Sequence, residues 1–209
     1  MRVLIVDDHP VVRRGVRELL DDEFPGTLFT ELDTGEAAVA HVETDEFDVA
    51  LLDLSMPGRG GLDALKEIHA RKPRLPVLVH SHHAEQQYAI RAIRAGARGY
   101  VTKDSAPEEL VRAVREVVAG RRYMTATVAA QIASAIASDP AKEPHETLSD
   151  RELQVLRMMA LGKSVRDIAA ELGLSDKTIS TYRTRVLEKL ELKTTADLMR
   201  YALRAGLVD

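Results

Sequence analysis

Three carboxylates and one ammonium in the first half of the chain are placed where they could do chemistry together. Asp7 and Asp8 follow the apolar run Val3-Leu4-Ile5-Val6, and Asp53 follows Val49-Ala50-Leu51-Leu52. Lys103 lies just beyond Gly99-Tyr100-Val101-Thr102. If those runs are neighbouring strands, the three acids meet at one sheet edge. Crowded carboxylates repel, so at neutral pH they need a raised pKa or a cation. Oxygen ligands with open water positions suit Mg²⁺. A divalent ion and an ammonium beside a carboxylate can stabilise the charge of a transferring phosphoryl group. The carboxylate can also be the nucleophile and become an aspartyl phosphate. Taken singly, an Asp after a strand is an ordinary cap and a Lys an ordinary solvated group. The placement of the whole set at strand ends is what points to phosphoryl chemistry.

The elements that must position these groups alternate in type. Residues 3–6, 49–52 and 77–79 are continuous apolar runs, as expected of strands buried on both faces. Residues 27–32 and 99–102 are weaker strand candidates. Helical patterns fall near 11–21, 35–45, 61–71, 84–95 and 106–119, with Pro25-Gly26, Pro57-Gly58, Gly60-Gly61 and Lys72-Pro73 marking boundaries. Five strands alternating with five helices predict a doubly wound α/β domain over residues 1–120, built on a five-stranded parallel sheet. Ligands on such sheets bind beyond the carboxyl ends of the strands.

From Gly120 onward the pattern is helical. Residues 125–137 form an Ala-rich candidate helix, and 138–146 read as a polar, Pro-interrupted linker, so that 121–146 join the first domain to a second at 147–209. That second domain has helical patterns at about 150–161, 164–172, 176–190 and 195–205. Ser149 and Glu152 have capping-box spacing, Gly173 ends the second helix and Ser175 caps the third. Helix, tight turn with Gly, helix is the helix-turn-helix pattern, whose second helix suits the major groove of double-stranded DNA. The third helix carries basic and small polar residues. Ser180, Thr181 and Thr184, opposite the apolar stripe, are candidates for reading base edges. Lys177, Arg183 and Arg185 are candidates for phosphates, with Thr178 and Lys189 included in the same surface.

Composition narrows the alternatives. The chain of 209 residues has no Cys, which excludes disulfides, thiolate zinc sites, iron–sulfur clusters and Cys nucleophiles. No apolar run approaches the ~20 residues needed to span a bilayer, and the N-terminal apolar stretch is too short for a signal peptide. A cytoplasmic chain with no membrane partner is expected. Residues 1–146 hold 18 basic against 24 acidic residues, and 147–209 hold 11 against 9. An acidic front and a mildly basic back suggest two partners of opposite character.

The stretches Val-Asp-Asp-His-Pro at 6–10, Leu-Leu-Asp-Leu-Ser-Met-Pro at 51–57 and Val-Thr-Lys-Asp at 101–104 resemble the receiver domain of two-component response regulators. The resemblance implies that Asp53 accepts phosphate from a sensor histidine kinase. It implies that Asp8 and Asp53 ligate Mg²⁺ directly, that Asp7 acts through water, and that the Ser55 carbonyl completes the protein ligands. Lys103 would pair with the phosphoryl oxygens. Ser81, after the fourth strand, matches the hydroxyl switch residue, and Tyr100 its aromatic partner. In that latch a phosphoryl oxygen draws in the Ser81 hydroxyl and the Tyr100 ring fills the vacated space.

Residues 147–209 resemble the LuxR/FixJ (NarL-like) helix-turn-helix domain, through Leu-Ser-Asp-Arg-Glu near the start, Ile-Ala-Ala-Glu-Leu within and Ala-Gly-Leu-Val at the close. The implied function is a phosphorylation-regulated transcription factor that binds promoter DNA as a homodimer. Two departures matter. Many members have Lys where this chain has Ser180 and His where it has Tyr182, so base preferences do not transfer. In the receiver, His82 stands where a small residue is usual, within His80-Ser81-His82-His83. Consecutive strand-end positions diverge, which argues against a metal site there. The reading is that His82 and His83 crowd the mouth of the site. Two rivals are weighed. A Mg²⁺-dependent aspartyl-phosphate phosphatase of the haloacid dehalogenase type would need Asp-x-Asp rather than adjacent acids. A phosphorylation-independent DNA-binding regulator would leave the acid–lysine set without a role.

Overall fold

The computed structural model describes residues 1–56, 60–81, 85–125, 129–130 and 144–208, excluding the side chains of 85–87 and 146. The chain divides into two compact units, Met1–Ser138 and Asp139–Asp209.

In the first unit, β1 (Arg2–Val6), β2 (Leu28–Leu32), β3 (Val49–Leu52), β4 (Val77–Ser81) and β5 (Gly99–Thr102) form a parallel sheet of order β2-β1-β3-β4-β5. Every residue of β3 is buried, as is all of β1 after Arg2, which is why these two strands read as unbroken apolar runs. The crossovers are α1 (Pro10–Glu23), α2 (Gly35–Thr44), α3 (Gly61–Arg71), α4 (Glu85–Arg94) and α5 (Pro107–Val118). Pro at the first turn starts α1 and α5, where its missing N–H costs nothing. Thr34 starts α2 by accepting a hydrogen bond from the Ala37 N–H at 3.3 Å. Under the sheet, Val3, Ile5, Leu51, Leu78 and Val101 pack against Leu110, Val114 and Val117 of α5 and Val16 and Leu20 of α1.

Two expectations are corrected. Ser81 does not follow the fourth strand but ends it: the β4–β5 ladder continues through His80↔Val101 and Ser81↔Thr102. Backbone pairing extends past the apolar residues because the ladder needs amides, not side chains. The chain after Gly120 is also not wholly helical. Tyr123 forms an isolated parallel bridge to Gly99, with its N–H donating to the Arg98 carbonyl at 3.1 Å and its carbonyl accepting from the Tyr100 N–H at 3.2 Å. Gly99 is the residue that permits this, since a Cβ there would press on the Tyr123 carbonyl.

The second unit opens on a 3₁₀ turn, Pro144–Thr147, at the end of the stretch read as linker. Then come α6 (Asp150–Ala160), α7 (Val165–Leu172), α8 (Asp176–Lys189) and α9 (Thr195–Arg204). The capping box at α6 is complete: the Ser149 N–H donates to Glu152 Oε2 at 2.7 Å and the Glu152 N–H to Ser149 Oγ at 3.4 Å. Ser164–Asp167 and Thr194–Asp197 form the same reciprocal pair at α7 and α9. Gly173 ends α7 with φ +63°, so the chain can turn into α8 within a few residues. Leu153, Leu156, Ile168, Ile179, Val186, Leu198 and Ala202 form the core of this unit. Among the described residues, no helix is long and apolar enough to cross a membrane. The candidate helix 125–137 apart from residues 125, 129 and 130, the linker 138–146 apart from its last residues, and the turn at Pro57-Gly58 lie outside the described residues.

Candidate functional site

Strand order places the acids. With β1 beside β3 and Val6 level with Leu52, the residue after each strand emerges at the same edge. The Asp53 N–H donates to the Val6 carbonyl at 2.9 Å and the Asp7 N–H to the Leu32 carbonyl at 3.1 Å, which holds both backbones in the sheet. Lys103 follows β5, two strands away, and its long stem crosses the edge. Its Nζ lies 2.6 Å from Asp7 Oδ2 and 2.7 Å from Asp53 Oδ2. All three side chains are at least 96% buried. One ammonium thus holds two carboxylates that would otherwise repel.

Asp53 has further donors. The Ser55 N–H reaches Asp53 Oδ1 at 3.0 Å, and the Ser81 hydroxyl also bonds the carboxylate. Burial pushes the Asp53 carboxyl up. The Lys103 charge and hydrogen bond, with those from Ser55 and Ser81, outweigh it and hold the group below the usual 3.8. Asp53 is therefore an anion at neutral pH. The Ser81 hydroxyl is 3.4 Å from Ser55 Oγ, and the Tyr100 ring is fully buried one strand over. The Ser81 and Tyr100 side chains are both fully buried.

Oxygens of Asp7, Asp8 and Asp53 and a ring nitrogen of His9 lie within 4.8 Å of one another. This cluster can coordinate a metal ion. The fit is supported by Asp8 Oδ1, which is buried and accepts no hydrogen bond, although His9 Nδ1 is 2.8 Å away. A cation supplies the partner that a buried carboxylate oxygen needs.

In the second unit, the exposed face of α8 carries Lys177, Ser180, Thr181, Thr184 and Arg185, while Ile179 and Val186 face inward. Two other candidates are engaged inside the unit. Arg183 donates from Nε to Thr195 Oγ1 at 3.1 Å, and Lys189 Nζ sits 2.6 Å from the buried Glu152 carboxylate. Thr178 is half-buried at the first turn of α8, where its N–H donates to Ser175 Oγ at 3.1 Å.

A family model for the response regulator receiver domain matches residues 3–115, and one for bacterial regulatory proteins of the luxR family matches 146–202. The chain belongs to the two-component response regulators. Over its whole length this response regulator is 38% identical to response regulator UvrY of Escherichia coli K12, covering 96% of that protein. It is 37% identical to response regulator GacA of Pseudomonas aeruginosa, covering 98% of it. Among solved structures, RcsB of Salmonella enterica serovar Typhimurium, bound to a promoter in the presence of phosphomimetic BeF₃⁻, is 28% identical. The similarity covers 96% of this chain and 97% of that one, with a TM-score of 0.60. A LuxR-family regulator from Aurantimonas is 36% identical over 66% of this chain and 98% of its own, also with a TM-score of 0.60. Both matched models describe regulatory domains, so the phosphatase alternative falls away.

Three parts of the response regulator's site escaped sequence reasoning. His9 joins the acids because its N–H donates to Asp7 Oδ1 at 2.8 Å, folding the loop back on itself. Its adjacency to Asp8 was the available signal. Arg13, one helical turn into α1, donates to the Asp7 carbonyl and steadies the same loop. Gly61 packs its Cα on the backbone of Asp53 and Leu54, where any Cβ would overlap the Asp53 carbonyl oxygen. In sequence it read only as a helix boundary. His82 and His83 lie outside the described residues.

Proposed function

We propose that this response regulator takes a phosphoryl group on Asp53 from a sensor histidine kinase and, so modified, binds promoter DNA as a homodimer in the cytoplasm. The observation that carries this reading is Asp53 itself, a buried anion bonded to Lys103 Nζ at 2.7 Å and to the Ser55 N–H at 3.0 Å. In the transfer an Asp53 oxygen forms a bond to phosphorus, the P–N bond to the donor imidazole breaks, and the electron pair leaves with the imidazole. Lys103 pairs with the phosphoryl oxygens, and the Ser55 N–H holds the acceptor oriented. Ser81 and Tyr100 then act as the latch, the phosphoryl group drawing in the hydroxyl and the ring taking the space it vacates.

Mg²⁺ fits the hard oxygen donors, with Asp8 and Asp53 as direct ligands, Asp7 through water and the Ser55 carbonyl completing the set. When bound it supplies charge neutralisation for the transferring group. Residues 1–120 serve as receiver, 121–146 as connection and 147–209 as the DNA-binding domain. For DNA, the exposed row on α8 offers Ser180, Thr181 and Thr184 to base edges, and Lys177 and Arg185 to phosphates. Pairing of two units raises avidity on a two-fold operator. Structures of RcsB dimers bound to DNA support this arrangement.

The test is incubation with acetyl phosphate and Mg²⁺, site mapping by mass spectrometry, and operator titration of wild type and Asp53→Ala. The reading requires one added phosphoryl group on Asp53 and a gain in operator affinity that Asp53→Ala lacks. Affinity indifferent to the phosphodonor would favour a phosphorylation-independent regulator.

A further inference from the structure

At the amino edge of the receiver sheet, opposite Asp53, lies a cavity of about 380 Å³ between the end of α3, the end of α4 and the segment after α5. Its charged lining is all of one sign, Arg94, Arg98 and Arg122, beside the His69 ring, with Leu75 and Ile93 among its apolar walls. Among the described residues, none of the three guanidinium groups forms an ion pair or hydrogen bond. Three basic residues nearby in sequence are paired instead. Arg71 pairs with Glu43 and Glu67, Lys72 with Glu46, and Arg121 with Glu116. The cavity beside α1 also balances itself, setting Arg13, Arg14 and Arg17 against Glu18, Asp21 and Glu31.

The cluster is held by backbone. The Arg98 N–H donates to the Val77 carbonyl at 2.8 Å, and the Arg98 carbonyl accepts from the Tyr123 N–H at 3.1 Å, which fixes Arg122 alongside. Gly96, at φ +104°, turns the chain out of α4 directly against the His69 ring, where a Cβ would overlap it. Arg94 and His69 lie in the last turns of α4 and α3, and the Arg94 charge complements the α4 dipole. Arg98 and Arg122 belong to no helix, so the dipoles leave their charge unmatched.

We propose that this cavity binds a small anion carrying a pyrophosphate group, as nucleoside diphosphates do, through Arg98 and Arg122, with Arg94 completing the cationic lining and the His69 ring offering a polar edge. Guanidinium forks match phosphate oxygens two at a time. The volume falls within the range of small-ligand pockets, and a concave recess suits a compact anion better than the convex backbone of a duplex.

The test uses the full chain in EDTA at constant ionic strength, titrated calorimetrically with inorganic pyrophosphate, ADP and, as a singly compact control, sulfate. Saturable one-site binding of pyrophosphate or ADP, at least tenfold tighter than sulfate, is expected. Arg98→Gln/Arg122→Gln should raise the dissociation constant tenfold or more, and Asp53→Asn should leave it unchanged. If the double variant melts below the wild type, Arg122→Gln alone, at an exposed position, should still weaken binding several-fold. Unsaturable binding, unchanged affinity in these variants, or loss of binding in Asp53→Asn would overturn the proposal. So would weakened duplex-DNA binding in the double variant with pyrophosphate affinity intact, because the polyanion would then be DNA.

Discussion

The ammonium of Lys189 lies 2.6 Å from the Glu152 carboxylate, joining the last turn of α8 to the first turn of α6. Glu152 is 4% exposed, and the Ser149 N–H also bonds it. A residue that reads in sequence as one more cation on a DNA-facing helix is therefore spent inside its own domain. Lys189→Met should destabilise the DNA-binding unit by about 1–2 kcal/mol, less than a wholly buried pair because Lys189 is partly solvated. Arg185→Ala, at an exposed position on the same helix, should leave the melting temperature in place. It should instead weaken DNA binding and reduce the salt slope by about one. Thermal melts and operator titrations across salt concentrations separate the two effects.

The acid side of the stability curve should carry the signature of Asp53. Its folded carboxyl titrates below the ordinary value, so folding favours the ionised form. That contribution is whole above the unfolded pKa and is lost as pH falls through the depressed folded value. In that window the unfolded state binds more protons, so stability rises with pH. Urea unfolding in the absence of metal should show wild type losing stability relative to Asp53→Asn only below about pH 4. An equal pH slope in the two proteins would remove this account.

Removing Lys103 leaves Asp7 and Asp53 facing each other without their shared cation. Lys103→Met should raise the Asp53 pKa and lower metal-free stability. It should also enlarge the gain in melting temperature on adding millimolar Mg²⁺, since the ion then has more repulsion to relieve. Calorimetric scans with and without Mg²⁺ measure the difference. A smaller Mg²⁺ effect in the variant than in wild type would contradict it.

Gly61→Ala is the substitution expected to harm the site without touching a charge. The new methyl must displace the Asp53 carbonyl, backbone against backbone, at a cost of about 2–3 kcal/mol. Phosphorylation by acetyl phosphate should fall with it, because the acceptor sits on the displaced residue. Gly15→Ala is the control. A Cβ at Gly15 meets nothing, and a helix interior favours Ala over Gly by about 0.5–1 kcal/mol.

Some of this was legible in sequence for plain reasons. The apolar runs of β1 and β3 could be read because strands covered on both faces have no polar positions to confuse the pattern. The acids that end those runs could be placed at one edge because parallel strands in a doubly wound sheet share a direction. β4 was read two residues short because its ladder runs on through His80 and Ser81, which the apolar pattern cannot see. The Gly99–Tyr123 bridge was invisible, since an isolated pair of residues far apart in sequence has no periodicity. Ser149–Glu152 was found by its spacing. Ser164–Asp167 and Thr194–Asp197 do not stand out in the same way, because Asp, one carbon shorter than Glu, lies outside the usual capping-box pattern.

The residues alone determined the kinds of element, their order and the family resemblance, because caps, turns and buried runs act over a few neighbouring positions. Tertiary structure decided which charges meet. Lys103 reaches Asp53 across 50 residues of chain and Lys189 reaches Glu152 across 37. Such pairings depend on strand order, register and helix packing, and a side chain's partner is set by the whole fold, not by its neighbours in sequence.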